Sequence, residues 1–99
     1  MRPIHLASLD KIRPVVVLTR EAVRPYLSRV TVAPITTTVR GLLVEVPVGR
    51  SNGLDSDSAI SCDNITTIPV ADLREQIGFL LDSQEAQLTA AIASAFDLD

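Results

Sequence analysis

The chain has 99 residues, 46% of them hydrophobic, with a formal net charge of −3 and a pI near 5.0; that suffices for one small domain over residues 1–99, for which a homodimer is an expected supplement to limited burial. Its apolar runs, Val15 to Leu18 and Phe79 to Leu81, fall far short of the roughly 20 residues that span a bilayer, and Met1 to Leu6 show no apolar stretch before a small-residue cleavage site. The single Cys62 excludes an internal disulfide, so the chain reads as a cytoplasmic protein with no membrane segment.

Pro3 to Ala7 and Pro14 to Thr19 are short apolar or β-branched runs, and the charged stretch Ser8 to Arg13 between them predicts a hairpin-like pair of strands. Thr19 to Val23 predicts a brief helical turn, shortened by Pro25, which biases Arg24 away from the helical region. Arg29 to Thr36 predicts a third strand and Leu42 to Val48 a fourth. Ser51-Asn52-Gly53 is a turn signal leading into a strand at Ser58 to Cys62, and Ile65 to Ile68 predicts another. The period then changes: Leu88, Ile92, Ala95 and Phe96 fall at i, i+4, i+7 and i+8, one face of an amphipathic helix rich in alanine. Asp82 followed by Glu85 resembles a capping arrangement at its start. Phe79 and Phe96, in apolar contexts, read as core. Several short strands and one terminal helix in 99 residues predict a mostly β fold with α, a small barrel rather than a sandwich.

The net charge conceals a division. Residues 1–50 carry eight cations, seven of them arginine, against three carboxylates, whereas residues 51–99 carry Arg74 against nine carboxylates. Such a split fits either a polyanion-binding face built on arginine or ordinary surface pairs formed on folding.

Several chemistries are poorly supplied. His5 is the sole histidine, so zinc sites with several His or Cys ligands are excluded. Asp55-Ser56-Asp57-Ser58 begins like a calcium loop but has Ile60 and Thr66 where glycine and glutamate belong. Gly41, Gly49, Gly53 and Gly78 are dispersed, so no phosphate-cradling loop is present. With Tyr26, Phe79 and Phe96 as the only aromatics there is no base-stacking platform. No cofactor is implied. What remains is Arg13, which opens an apolar strand beside the rigid Pro14, and the run Thr36-Thr37-Thr38 at the end of another. Either is unexceptional alone. An arginine and a hydroxyl converging on one phosphate would stabilise the extra negative charge of a pentacoordinate transition state.

Arg13 to Thr19, Val32 to Thr37, Ser61-Cys62-Asp63-Asn64-Ile65-Thr66-Thr67-Ile68 and the terminal helix occur in the order and spacing of the MazF/PemK family, which nearly the whole chain resembles. The resemblance implies an SH3-like small β-barrel, a homodimer, and an mRNA interferase toxin that cleaves single-stranded mRNA at short motifs. It implies attack by the ribose 2′-OH without a metal, leaving a 2′,3′-cyclic phosphate and a 5′-OH, and control by a cognate MazE-type antitoxin. By the same resemblance Arg13 and Thr36 are the catalytic pair, for charge stabilisation and phosphate orientation. Asn64 is a candidate for hydrogen bonding to RNA or for a turn role, and Thr37, Thr38 and Arg40 are further RNA-binding candidates. His5 reads as a strand residue rather than a base, and Cys62 as a small core residue.

Two departures from the family pattern stand out. The usual Gly-Asp opening is missing, and the loop between the first two strands is cut to Ser8 to Ile12, leaving Asp10 as the nearest carboxylate. Arginine stays protonated and threonine is not basic, so the general base is unassigned, with His5 and Asp10 as weak candidates. Two other classes fit the same barrel: a CcdB-type toxin that traps DNA gyrase, and an RNA- or protein-binding barrel without turnover. If the basic first half lines an RNA groove, an antitoxin tail would block it with carboxylates in a salt-sensitive complex.

Overall fold

In the computed structural model, which describes residues 1–98, seven strands and one helix follow in order: β1 (Pro3–Ser8), β2 (Ile12–Val17), β3 (Arg29–Thr36), β4 (Glu45–Val48), β5 (Ser58–Ser61), β6 (Thr66–Pro69), β7 (Leu73–Phe79) and α1 (Asp82–Phe96). All pairings are antiparallel, in the order β4-β5-β3-β2-β1-β7, with β6 also on β3. The expected β1–β2 pair forms, from Ile4 opposite Val16 to Ser8 opposite Ile12. The mostly β class and the barrel-like curl agree with expectation. No described helix is long and apolar enough to cross a membrane.

The central strands are largely buried on both faces over Val15–Val17 and 32–35, which is why those stretches read as apolar runs. Val16, Ala33 and Ile35 face one core with Ile4, Val46, Ile60, Cys62, Leu80, Leu88 and Ala91. Val15, Val17, Val30 and Val32 face a second with Ala7 and Ile68. The helix covers the first core through Leu88 and Ala91, with Ile92 and Ala95 packed beside them. Cys62 is fully buried as expected, and desolvation pushes its thiol pKa up to about 11.

Four expectations are corrected. The fourth strand begins at Glu45, because the Glu45 N–H bonds the Leu42 carbonyl and closes a turn where the strand was expected to start. The turn expected at Thr19 to Val23 forms, with the Val23 N–H on the Arg20 carbonyl at 3.2 Å, but Pro25 does not end it: it runs on into a 3-10 turn at Arg24–Tyr26 with Pro25 inside, in the first turn, where a missing N–H is tolerated. The α1 N-terminus is capped by Gln84, whose Oε1 accepts the Leu81 N–H at 2.9 Å; Glu85 instead binds Arg2. Phe79 and Phe96 are 46% and 53% exposed and lie outside the core. Strand β7 was not foreseen, because Arg74, Glu75 and Gln76 are exposed in succession and its pairing with β1 is interrupted by register shifts, so no period-2 alternation appears.

The ends of the sheet meet without a strand ladder. After β4, a single 3-10 turn (Arg50–Asn52) ends at Gly53, whose φ is +86°, and this backbone lies directly on Ile77 and Gly78 of β7: a Cβ on Gly78 would stand 1.8 Å from the Asn52 carbonyl oxygen. Beside this contact the buried Asn52 side chain accepts the Gly49 N–H at 3.1 Å and donates to the Phe79 carbonyl at 2.9 Å and Gln84 Oε1 at 2.7 Å. Gln84 in turn donates to the Pro47 carbonyl at 3.2 Å. One amide pair thus ties β4, β7 and the helix together. Asn52→Ala leaves several of these buried groups without partners, so an expected loss of about 2–4 kcal/mol should appear as a lower urea midpoint; a shift equivalent to less than roughly 0.5 kcal/mol would count against the locking role.

Candidate functional site

A break in one strand edge opens the main groove. Strand β3 pairs with β6 through Arg29–Val32 and with β5 through Ile35 and Thr36. Pro34, which has no N–H to give, stands opposite the interruption between those two strands. There the chain makes a short 3-10 turn, Cys62–Asn64, which buries Cys62 and leaves Asp63 and Asn64 exposed. The resulting groove, about 720 Å³, is lined among others by Arg13, Thr36, Thr38, Arg40, Ser61 and Asn64.

Arg13 enters from β2, opposite Ala7 of β1. Its Nε and Nη2 donate to the two oxygens of Asp10 at 2.8 and 3.0 Å. The tight loop Ser8–Ile12 places these partners three residues apart, and the bidentate geometry fixes the guanidinium plane. Nη1 makes no hydrogen bond among the described residues. The guanidinium holds the Asp10 carboxyl well below the usual carboxylate range, outweighing the opposing desolvation, while Asp10 raises the arginine further. Asp10 therefore stays ionised throughout the neutral range, and a carboxylate so stabilised is a poor proton acceptor.

Thr36 ends β3, opposite Ala59. Its Oγ1 accepts the Thr38 N–H at 3.1 Å, so the hydroxyl proton remains available for donation into the groove. Asn64 donates from Nδ2 to Ser61 Oγ at 2.8 Å, which orients its amide at the groove edge.

The structure brings Arg13, Thr36, Thr38, Arg40 and Asn64 into one groove, with Asp10 beside them; it does not bring in Thr37 or His5. Thr37 is exposed outside the lining, in the bend that follows the end of β3. His5 meets the β7 edge instead, with Nδ1 2.7 Å from the Arg74 carbonyl oxygen. Of the two readings left open for the charge split, the groove does not carry a concentrated basic face: Arg13 and Arg40 line it alongside four carboxylates, Asp10, Glu45, Asp63 and Asp72. The other first-half cations lie elsewhere. Arg2, for instance, clasps Glu85 at 2.6 Å and donates to the Val17 and Leu18 carbonyls. Glu45 and Asp72 were missed as groove residues because their placement depends on a loop turn and on β7, neither of which has a periodic signature. Among the described residues no group of three or more His, Cys, Asp or Glu is arranged to hold a metal ion.

Comparison with known proteins adds four findings. Residues 4–96 match the family described as PemK-like, MazF-like toxin of type II toxin-antitoxin system. The chain is 68% identical over 99 residues to Endoribonuclease MazF3 of Mycobacterium tuberculosis, covering 100% of this chain and 96% of that protein. It superposes on the solved structure of Mycobacterium tuberculosis toxin MazF-mt6 with a TM-score of 0.97 at 67% identity, covering 99% of each chain. A more distant structure, an endoribonuclease in complex with its cognate antitoxin from a mycobacterial species, shares the fold at 22% identity with a TM-score of 0.87 over 98% of this chain and 93% of that one.

Proposed function

The chain belongs to the PemK-like, MazF-like toxins of type II toxin–antitoxin systems, and on that premise we propose that it is an endoribonuclease cleaving single-stranded mRNA at short motifs by intramolecular transesterification. The reading rests on one observation: a guanidinium held by Asp10 and a threonine hydroxyl with its proton free line the same groove. In this reaction the ribose 2′-oxygen attacks the adjacent phosphorus and the bond to the 5′-oxygen breaks. A proton lost at the 2′-oxygen is balanced by one gained at the leaving oxygen, and the products end in a 2′,3′-cyclic phosphate and a 5′-OH.

Arg13 stabilises the charge that accumulates on the non-bridging oxygens, and the Thr36 hydroxyl donates to one of them and fixes the phosphate in line. Asp10 acts on Arg13 by orienting the fork. Thr38, Arg40 and Asn64 hold flanking nucleotides. This route places its charge stabilisation on an arginine and so works without a metal ion. A toxin acting on gyrase, or a barrel that only binds, has no need of such a pair. As for other members of the family, the reading extends to a homodimer in the cytoplasm that a MazE-type antitoxin silences.

Purified protein incubated with single-stranded RNA in EDTA should cut it at a short recurrent motif, and mass spectrometry of the fragments should find cyclic phosphate at the upstream ends. Absence of cleavage, dependence on an added divalent ion, or 3′-OH ends would overturn the reading.

A further inference from the structure

The β3–β4 loop, residues 37–44, supplies Thr38, Arg40, Leu42 and Val44 to the groove and is exposed over most of its length. Few apolar contacts are available to hold it, since Val39, Leu42 and Leu43 are 50%, 47% and 86% exposed. Its order comes from its two ends. At one, Thr36 Oγ1 takes the Thr38 N–H. At the other, the Glu45 carboxylate receives three successive backbone amides: Oε1 lies 3.1 Å from the Arg40 nitrogen, 2.8 Å from Gly41 and 3.2 Å from Leu42. Gly41, at φ +73°, gives the left-handed step that turns these N–H groups toward one point. The Glu45 N–H returns the contact to the Leu42 carbonyl at 3.1 Å.

A carboxylate in a groove meant for RNA repels the substrate, so its presence calls for a compensating role. We propose that Glu45 is a positioning residue that pre-orders the β3–β4 loop, and with it Arg40 and Leu42, so that RNA meets a formed wall instead of a loose segment. The inference rests on the nuclease reading for its kinetic consequence, while the ordering itself does not. Glu45 is anchored at the start of β4, paired with Ser61 of β5, so the sheet transmits its rigidity to the loop through one side chain. Arg13 and Thr36 lie on strands held independently of it. Loss of the carboxylate therefore burdens binding, through the entropy of ordering the loop, more than it burdens the chemical step.

Charge and positioning predict opposite results. If Glu45 acts only as a negative charge, both Glu45→Ala and Glu45→Gln tighten RNA binding. If it positions the loop, Glu45→Ala raises KM roughly ten-fold and leaves kcat within about two-fold, and Glu45→Gln stays near wild type, since Oε1 receives all three amides, Oε2 adds only a longer 3.4 Å contact with the Arg40 N–H, and a carboxamide keeps one oxygen. Hydrogen exchange gives a readout that needs no activity: the Arg40, Gly41 and Leu42 amides should lose protection in Glu45→Ala and keep it in Glu45→Gln. Unchanged protection in Glu45→Ala, or lost protection with KM unmoved or lowered, overturns the proposal. A wild-type protein that cleaves no RNA but loses loop protection in Glu45→Ala would overturn the nuclease reading and the kinetic role while upholding the ordering.

Discussion

Arg13→Ala lowers the single-turnover rate of RNA cleavage by roughly 10²–10³-fold, with the fold intact. The magnitude follows from removing one preorganised donor aimed at developing charge. The intact fold follows from position: Arg13 belongs to neither core, and among the described residues its side chain hydrogen-bonds to the exposed Asp10 alone. Arg13→Lys keeps the charge but not the planar fork, so it should recover only part of the rate. At Thr36 the hydroxyl is the relevant group: Thr36→Ala should fall by about 10²-fold, and Thr36→Ser should stay close to wild type. Rapid-quench kinetics on labelled RNA, with circular dichroism to verify folding, measures all four variants. Undiminished cleavage by Arg13→Ala and Thr36→Ala would remove both from the site.

Gly78→Ala is expected to have the largest effect on stability, about 3–5 kcal/mol out of the roughly 5–15 kcal/mol available to a domain of this size. The added methyl would lie 1.8 Å from the Asn52 carbonyl oxygen and 2.6 Å from its carbon. Both are backbone atoms locked by the Asn52–Gln84 network, so neither can yield as a flexible side chain would. Relief requires the turn after β4 to lift off β7, which separates the two ends of the sheet. Gly41→Ala is the control: a Cβ there meets nothing within 4 Å, and only the φ of +73° is unfavourable, costing about 1–2 kcal/mol. Urea unfolding of both variants separates steric closure from backbone strain. A Gly78→Ala protein within about 1 kcal/mol of wild type would show that the seam is not a structural necessity.

What was legible in the chain was whatever depends on local periodicity. Val15 to Val17 and Val30 to Ile35 announce central strands, because burial on both faces demands apolar side chains at consecutive positions. Leu88, Ile92, Ala95 and Phe96 announce a helix with one apolar stripe, which in the fold gains Ala91 and loses Phe96 to solvent. The Arg-Pro and Thr-Thr phrases mark polar groups at the ends of those strands, and the family resemblance supplied what they are for. Strand β7 escaped notice because an irregular edge strand has no obligatory alternation, and the helix cap because its reach from Gln84 to Leu81 depends on the preceding chain direction.

The sequence by itself determined the mostly β class, through local periodicity, and the family, through the order and spacing of short phrases along the chain, from which Arg13 and Thr36 follow as the pair to consider. Only the tertiary structure decided that Asp10 clamps Arg13, that Thr37 and His5 stand outside the groove, that most of the basic residues lie elsewhere, and that Asn52, Gly53 and Gly78 join the ends of the sheet. These are contacts whose existence depends on chain direction at turns and on strands meeting across the fold. A one-dimensional pattern records which side chains seek burial; it does not record which backbone carbonyl or carboxylate will be waiting where they arrive.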